Sequence, residues 1–179
     1  MCIRDSKTGD LPDGGNEVVF CEEFNEYCLT DSPNVVYSDF YGHHGAAITS
    51  GGADGQMLLA PVDVSDVENA TVNIEVRVIG GGFEQWGTQW GDMVRIEVID
   101  QNGNVIVLDT FTGNGDGLSR DVTGQRIEFR TVTIRFAVGS SIESAQIRIV
   151  SDISSCYECV AFENVKIEGQ PDVAGSISG

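Results

Sequence analysis

The feature that most restricts this chain is an alternation of apolar and polar residues with a period of two. From Thr71 to Ile79, Val72, Ile74, Val76 and Val78 point one way while Asn73, Glu75 and Arg77 point the other. That is the pattern of a strand with one face on a core and one in water. Met93 to Ile99 repeats it, with Val94, Ile96 and Val98 against Arg95 and Glu97. Asp100 to Asn104 follows with Asn-Gly at its centre, and then Val105 to Phe111, so the spacing predicts a hairpin. Ala145 to Val150 alternates again, and helical periodicity is nearly missing.

Two longer strands break phase. In Cys156 to Ile167, Val160 and Phe162 are apolar at even positions, Val165 and Ile167 at odd ones. A slip of one residue across Glu163 and Asn164 predicts a β-bulge, which re-aims side chains and often lies beside a site. Ile127 to Val138 slips near Arg130 and Thr131, which predicts a second bulge or a bend. Shorter strands are expected over Glu17 to Glu23, Ala46 to Ser50 and Gln56 to Ala60, the last ended by Pro61. Val62 to Asn69 reads as a connection with one helical turn capped by Ser65. The result is an all-β chain of roughly eight to ten strands joined by Gly, Asp, Asn and Ser turns. The expected architecture is a two-sheet antiparallel β-sandwich of jelly-roll type, with its first and last strands side by side.

Charge narrows the partners. The chain of 179 residues carries 28 acidic and 10 basic residues, a formal net charge of -18, and its only lysines are Lys7 and Lys166. Such a surface excludes a general nucleic-acid binder and repels anionic membranes. No apolar run reaches the length of a membrane span. The acidity suits a solvated surface in salty extracellular water or the gathering of divalent cations.

Setting Cys2 aside, the cysteines form two close pairs, Cys21 with Cys28 and Cys156 with Cys159. Even, locally paired cysteines in a Gly-rich, strand-rich chain point to disulfides and to export. A bridge over the Cys21 to Cys28 loop contributes about 2–3 kcal/mol in the chain-entropy picture. Cross-pairing between the two ends, free thiols and a four-cysteine zinc site are the other readings. Zinc normally uses two CxxC hooks, and only Cys156 and Cys159 have that spacing.

The ends set the domain boundaries. Residues 1–16 are expected to be a non-native or flexible lead-in: MCIRDS has no apolar h-region, and Gly9, Pro12, Gly14 and Gly15 follow. The sandwich is expected over 17–168. In 169–179, GQPDVAGSISG reads as a linker and the start of a following domain, so the chain is expected to be one module of a larger exported protein.

VFCEEFNEYC resembles the opening of a MAM domain, whose first strand carries a cysteine, an aromatic and acidic pair, and a second cysteine after a short loop. The Gly-rich turn before LLAP and the long strand that follows are similar to the same family, and VAFENVKI is similar to its closing strand. Leu29 stands where the family has a tryptophan, and Cys156 with Cys159 is not one of its pairs, so the resemblance extends more loosely to concanavalin-lectin-like jelly rolls. It implies a non-catalytic extracellular or cell-surface recognition and adhesion module for a glycan or protein ligand. A structural spacer in an adhesin is the alternative. By analogy with jelly rolls that hold a cation where the terminal strands meet, Glu22 or Glu23 with Glu163 and Asp92 are the candidate ligands of a structural calcium.

Other motifs are weighed on their own residues. Trp86 and Trp90, in EQWGTQWGD, suit stacking on sugar rings and equally suit capping the core. GNGDG at Gly113 to Gly117 lacks the full EF-hand pattern. GGGF at Gly80 to Phe83 has no Lys-Ser/Thr after it. His43 and His44 are adjacent, and neighbours on a strand point to opposite faces. No ExDxxE carboxylate pair and no GxSxG elbow occurs, so a glycoside hydrolase or other enzyme is not expected.

Overall fold

The computed structural model of the chain describes residues 17–22, 24, 29, 32, 34–43, 45–49, 54–79, 91–113, 130–135, 142–155 and 158–171. Their regular elements are strands: β1 (Glu17–Glu22), β2 (Val35–Ser38), β3 (Tyr41–His43), β4 (Ala46–Ile48), β5 (Gly55–Leu59), β6 (Val62–Asp63), β7 (Val67–Ile79), β8 (Met93–Asp100), β9 (Val105–Thr112), β10 (Arg130–Arg135), β11 (Ser144–Asp152) and β12 (Cys159–Pro171). Among the described residues no helix is long and apolar enough to cross a membrane.

The strands form two antiparallel sheets. The first has the order β10-β7-β12-β4-β3, with β1 also on β12; the second has the order β2-β5-β11-β8-β9, with β6 also on β11. β4 pairs with Ala161 and Phe162, whereas β1 pairs with β12 from Val165 to Gly169, so the two occupy successive lengths of one edge. First and last strands therefore lie side by side, as expected of a jelly roll.

Alternation decides what fills the space between the sheets. Val72, Ile74 and Val76 of β7 and Val160, Phe162, Val165 and Ile167 of β12 are buried against Met57, Leu59, Val94, Ile96, Val98, Ile147 and Ile149 of the other sheet. Each such side chain contributes about 1.5–3 kcal/mol by leaving water. Phe40 stacks on Phe162 with centroids 6.0 Å apart and planes 14° from parallel.

The predicted bulge is present. The register of β12 on β7 shifts between Glu163 and Lys166, and Asn164 there has φ +48°, a left-handed conformation that Asn tolerates better than most residues. The extra residue is what allows both Phe162 and Val165 to face the core. The hairpin is also as read: Gly103 takes φ +80°, and Asp100 accepts from Asn102 N, Asn104 N and Asn104 Nδ2, each at 2.8 Å.

Three expectations change. β7 begins at Val67, and Val62 and Asp63 form β6, so 62–69 is not a helical connection. Asp63, not Ser65, supplies the cap, accepting from Ser65 N at 3.0 Å and Ser65 Oγ at 2.7 Å. Val67 and Ala70 are buried, and their tertiary pairing outweighs the local turn signal. Arg130 to Arg135 pairs with β7 without a shift, so the described part of that strand holds no bulge, and 127–129 and 136–138 lie outside the described residues. The strand segments also exceed the expected number, because pieces as short as β3 and β6 carry too few residues to show a period. β12 continues to Pro171, where Gln170 and Pro171 pair with Glu68 and Val67.

Candidate functional site

The outer face of the second sheet is where this chain departs from a simple solvated surface. Cross-strand registers align Tyr37 of β2, Leu58 of β5, Arg148 of β11, Glu97 of β8 and Val107 of β9 in one row across five strands. At about 4.8 Å per strand spacing the row spans about 19 Å. Outward positions beside it include Gln56, Gln146, Val150, Arg95, Ile99 and Val105. Tyr37, Val105 and Val107 are 47%, 46% and 51% exposed, and Val36, in the bulge of β2, is more exposed still.

At the centre of the row Glu97 is 1% exposed although it points away from the core, because two arginines lie over it. Arg148 donates from Nε to Glu97 Oε2 at 2.6 Å, with its Nη2 also 2.6 Å from that oxygen. Arg95 Nε lies 2.5 Å from Glu97 Oε1 as an ion pair, without hydrogen-bond alignment. Covering a carboxylate this way is tolerable only because its charge is met by guanidinium. At the β2 edge the Tyr37 hydroxyl donates to Asp39 Oδ1 at 2.6 Å. That bond, then the Asp39 charge, holds the phenol above its ordinary value, so the ring stays neutral and fixed at its tip.

A second polar feature lies on the outer face of the first sheet at the β12 bulge. A hollow of about 220 Å³ is lined by Asn73, Ile74, Glu75, Asn164, Lys166 and Glu168. Asn164 Nδ2 donates to Glu75 Oε2 at 2.8 Å and Asn73 Nδ2 to Glu168 Oε2 at 3.1 Å. Beside it the Glu163 carboxyl is held above its ordinary value by partial burial and then by the charge of Glu75, with Arg77 opposing.

The candidate calcium ligands are not brought together. Glu22 is buried on the inner side of β1, where its Oε1 accepts from Phe24 N at 2.8 Å and Ser32 Oγ at 3.1 Å. Its task is local: Phe24 has φ +47°, and the carboxylate fastens that tight exit from β1. Glu163 faces Glu75 on the opposite side of the sheet, so the bulge does not turn it toward Glu22. Asp92 is on the other sheet, fully buried, with Oδ1 accepting from Ser154 N at 2.8 Å. Among the described residues no group of three or more His, Cys, Asp or Glu side chains is arranged to hold a metal. Glu22, Asp92 and Glu163 as placed do not fit one cation; Glu23 lies outside the described residues, as do Trp86, Trp90, His44 and most of GNGDG.

Cys21 is disulfide-bonded. The expected Cys156–Cys159 bridge falls on a residue, Cys156, outside the described ones. Cys159 is the first residue of β12 and pairs with Ile79. Cys28 and Cys156 lie outside the described residues.

Sequence reasoning missed two groupings. Asp152 is held above its ordinary value by burial, then by a hydrogen bond and charge from Asp54, then by the Asp92 charge. The signal was an aspartate flanking one end of each of three strands, β5, β8 and β11. The Arg95, Glu97 and Arg148 centre was also in view as outward residues of two alternating strands, but their pairing depends on register.

No protein-family model matches the sequence, and no curated protein matches it. Solved structures do match. The chain is similar to the K3 cleaved adhesin domain of Lys-gingipain from Porphyromonas gingivalis, at 11% identity over 86% of this chain and 99% of that one, with a TM-score of 0.53. It is similar to the xylan-binding domain CBM22-1 from Paenibacillus barcinonensis, at 13% identity over 91% and 100% of the two chains, TM-score 0.44. It is also similar to the mannan-recognising carbohydrate-binding module TmCBM27, at 10% identity over 87% and 98%, TM-score 0.46. At these identities the likeness is one of fold, and the fold is a two-sheet jelly-roll sandwich.

Proposed function

We propose that this chain is a non-catalytic recognition module that binds a glycan across the outer face of its second sheet. The observation that carries the reading is the row from Tyr37 to Val107, in which exposed aromatic and aliphatic side chains flank a fixed ion-paired centre. Flat rings and planar guanidinium groups offer stacking surfaces and forked donors, the combination that hydroxyl-rich ligands need. The exposed apolar residues are separated by polar ones, whereas the core of a protein–protein interface is depleted of charge. Glu97 is the one carboxylate in the row and is covered by two arginines, so the row has no acid and base pair for glycoside hydrolysis.

Trp86 and Trp90, which precede β8 in the chain, belong to this reading as ring-stacking residues. The MAM-like, concanavalin-lectin-like character of the terminal strands and a place in a larger secreted or cell-surface protein belong to it as well, and the Cys21 disulfide supports an oxidising compartment. Pairing of Cys21 with Cys28 is part of the proposal. A structural calcium is too, resting only on the likeness to jelly rolls that hold a cation at their terminal strands. Melting with and without EDTA tests it, since an unchanged Tm removes the ion from the reading.

Screening the purified domain on a glycan array, with Tyr37→Ala and the Trp86→Ala, Trp90→Ala pair alongside, tests the function. Binding that is lost in Tyr37→Ala with an unchanged melting curve is the expected result. If the native domain retains no glycan, the recognition reading fails and the spacer role takes its place.

A further inference from the structure

The charge on this face narrows the ligand. The chain has 10 basic residues against 28 acidic ones, yet two of the ten stand diagonally across β8 and β11 and share one carboxylate. Register places Leu58, Glu97, Gln146 and Val150 around Arg148, and Val150, Thr110, Met93 and Glu97 around Arg95. Apart from Glu97 none of these is charged. Two guanidinium groups over one carboxylate leave an excess of one positive charge at the centre of the row, with Asp152, opposite Met93, the next carboxylate along the face.

The two arginines are not equivalent. Arg148 is pinned by its Nε and Nη2 to Glu97 and its side chain is 27% exposed. The Arg95 side chain is 38% exposed, and only its Nε, buried against Glu97 Oε1, is committed to the ion pair. One guanidinium suffices to neutralise Glu97, so the second is surplus to a structural clamp. A buried carboxylate thus orients two guanidinium groups in the middle of the face, and the terminal nitrogens of Arg95 are the fork left for a ligand. Such a fork matches the planar geometry of a carboxylate and binds it with two parallel hydrogen bonds. Repulsion from the rest of the molecule is screened beyond about 8 Å at physiological ionic strength, so the patch acts locally.

We infer that the glycan recognised by this face carries carboxylates, as a uronic acid polymer does, and that Arg95 takes the carboxylate while Arg148 and Glu97 hold it in position. This rests on the second sheet being the binding face.

Titration calorimetry with polygalacturonate and, separately, with neutral mannan and xylan tests it. The native domain is expected to bind polygalacturonate more tightly than either neutral polymer, and to bind it more weakly as NaCl rises. Arg95→Gln is expected to lose about tenfold or more in affinity for polygalacturonate with an unchanged thermal melt, while Arg95→Lys keeps part of it. Equal or tighter binding of a neutral polymer, or full binding by Arg95→Gln, overturns the inference and leaves the recognition module standing. Absence of binding to every polymer overturns both.

Discussion

Asn164 supports the bulge of β12 in two ways, by adopting φ +48° and by donating its amide to Glu75 at 2.8 Å. The left-handed conformation costs an ordinary side chain about 1–2 kcal/mol, and the hydrogen bond contributes about 1.5–3 kcal/mol because its acceptor is charged, less where water competes. Asn164→Ala loses both and is expected to lower the unfolding free energy by about 1–3 kcal/mol. Asn164→Gly keeps the conformation, loses only the bond, and is expected to cost less. Urea unfolding of the two variants separates the terms; an alanine variant as stable as the glycine one shows that the conformation carries no strain. Asp152 makes a different prediction. Because its folded carboxyl lies above its ordinary value, the folded chain binds that proton more tightly than the unfolded chain does. Its contribution is complete below the unfolded carboxylate range near 4 and is lost as pH rises through the folded value. Ionising the group as pH rises therefore opposes folding. Asp152→Asn is expected to melt higher than the native domain at pH 7, with the gap closing below about pH 4. A gap that stays constant from pH 3 to pH 7 shows instead that the asparagine gains from a new contact.

Among the elements, β7 and β12 form the spine of one sheet and β8 and β11 that of the other, each flanked on both sides by further strands. Backbone hydrogen bonds in such strands open only with most of the sandwich, while short β2 and β3, at the sheet ends, open locally. Amide hydrogen exchange is expected to be slowest at Ile74, Ile96, Ile147 and Phe162 and much faster at Val36 and Gly42; comparable rates contradict this ordering of the strands. The four spine strands are also the ones most legible in the sequence. β7, β8 and β11 each bury one face and wet the other, so their composition records their position, and the Asn-Gly turn reports the β8–β9 hairpin without help from the rest of the fold. The bulge at Asn164 was readable for the same reason: a core on one side makes a one-residue slip visible. What sequence could not give is which strands are neighbours. Arg148 and Glu97 are 51 residues apart, and only the pairing of β11 with β8 shows that they share a row. Glu22 misled because an acidic residue on a strand usually faces water, whereas here the left-handed turn at Phe24 and the Ser32 hydroxyl justify burying it.

For the whole molecule the governing quantity is the net charge of -18. Spread over a sandwich with few basic residues, it raises the free energy of the folded state more than that of the expanded chain, in which the charges lie farther apart. Salt shortens the range of that repulsion to about 10 Å at 0.1 M and about 3 Å at 1 M. Raising NaCl from 20 mM to 500 mM is therefore expected to increase Tm, with most of the gain below 200 mM, where the screening length falls fastest. The binding face responds oppositely. Its attraction for a carboxylate-bearing polymer depends on the exposed guanidinium of Arg95, and the same salt weakens that contact. Melting curves and titrations on the same salt series are thus expected to diverge, with the domain more stable and its affinity for polygalacturonate lower at each step. If Tm does not rise with salt, local ion pairs such as Arg148 with Glu97 outweigh the general repulsion. Parallel rises in Tm and affinity contradict a charge-assisted site and favour apolar contacts at Tyr37 and Val107 as the source of binding.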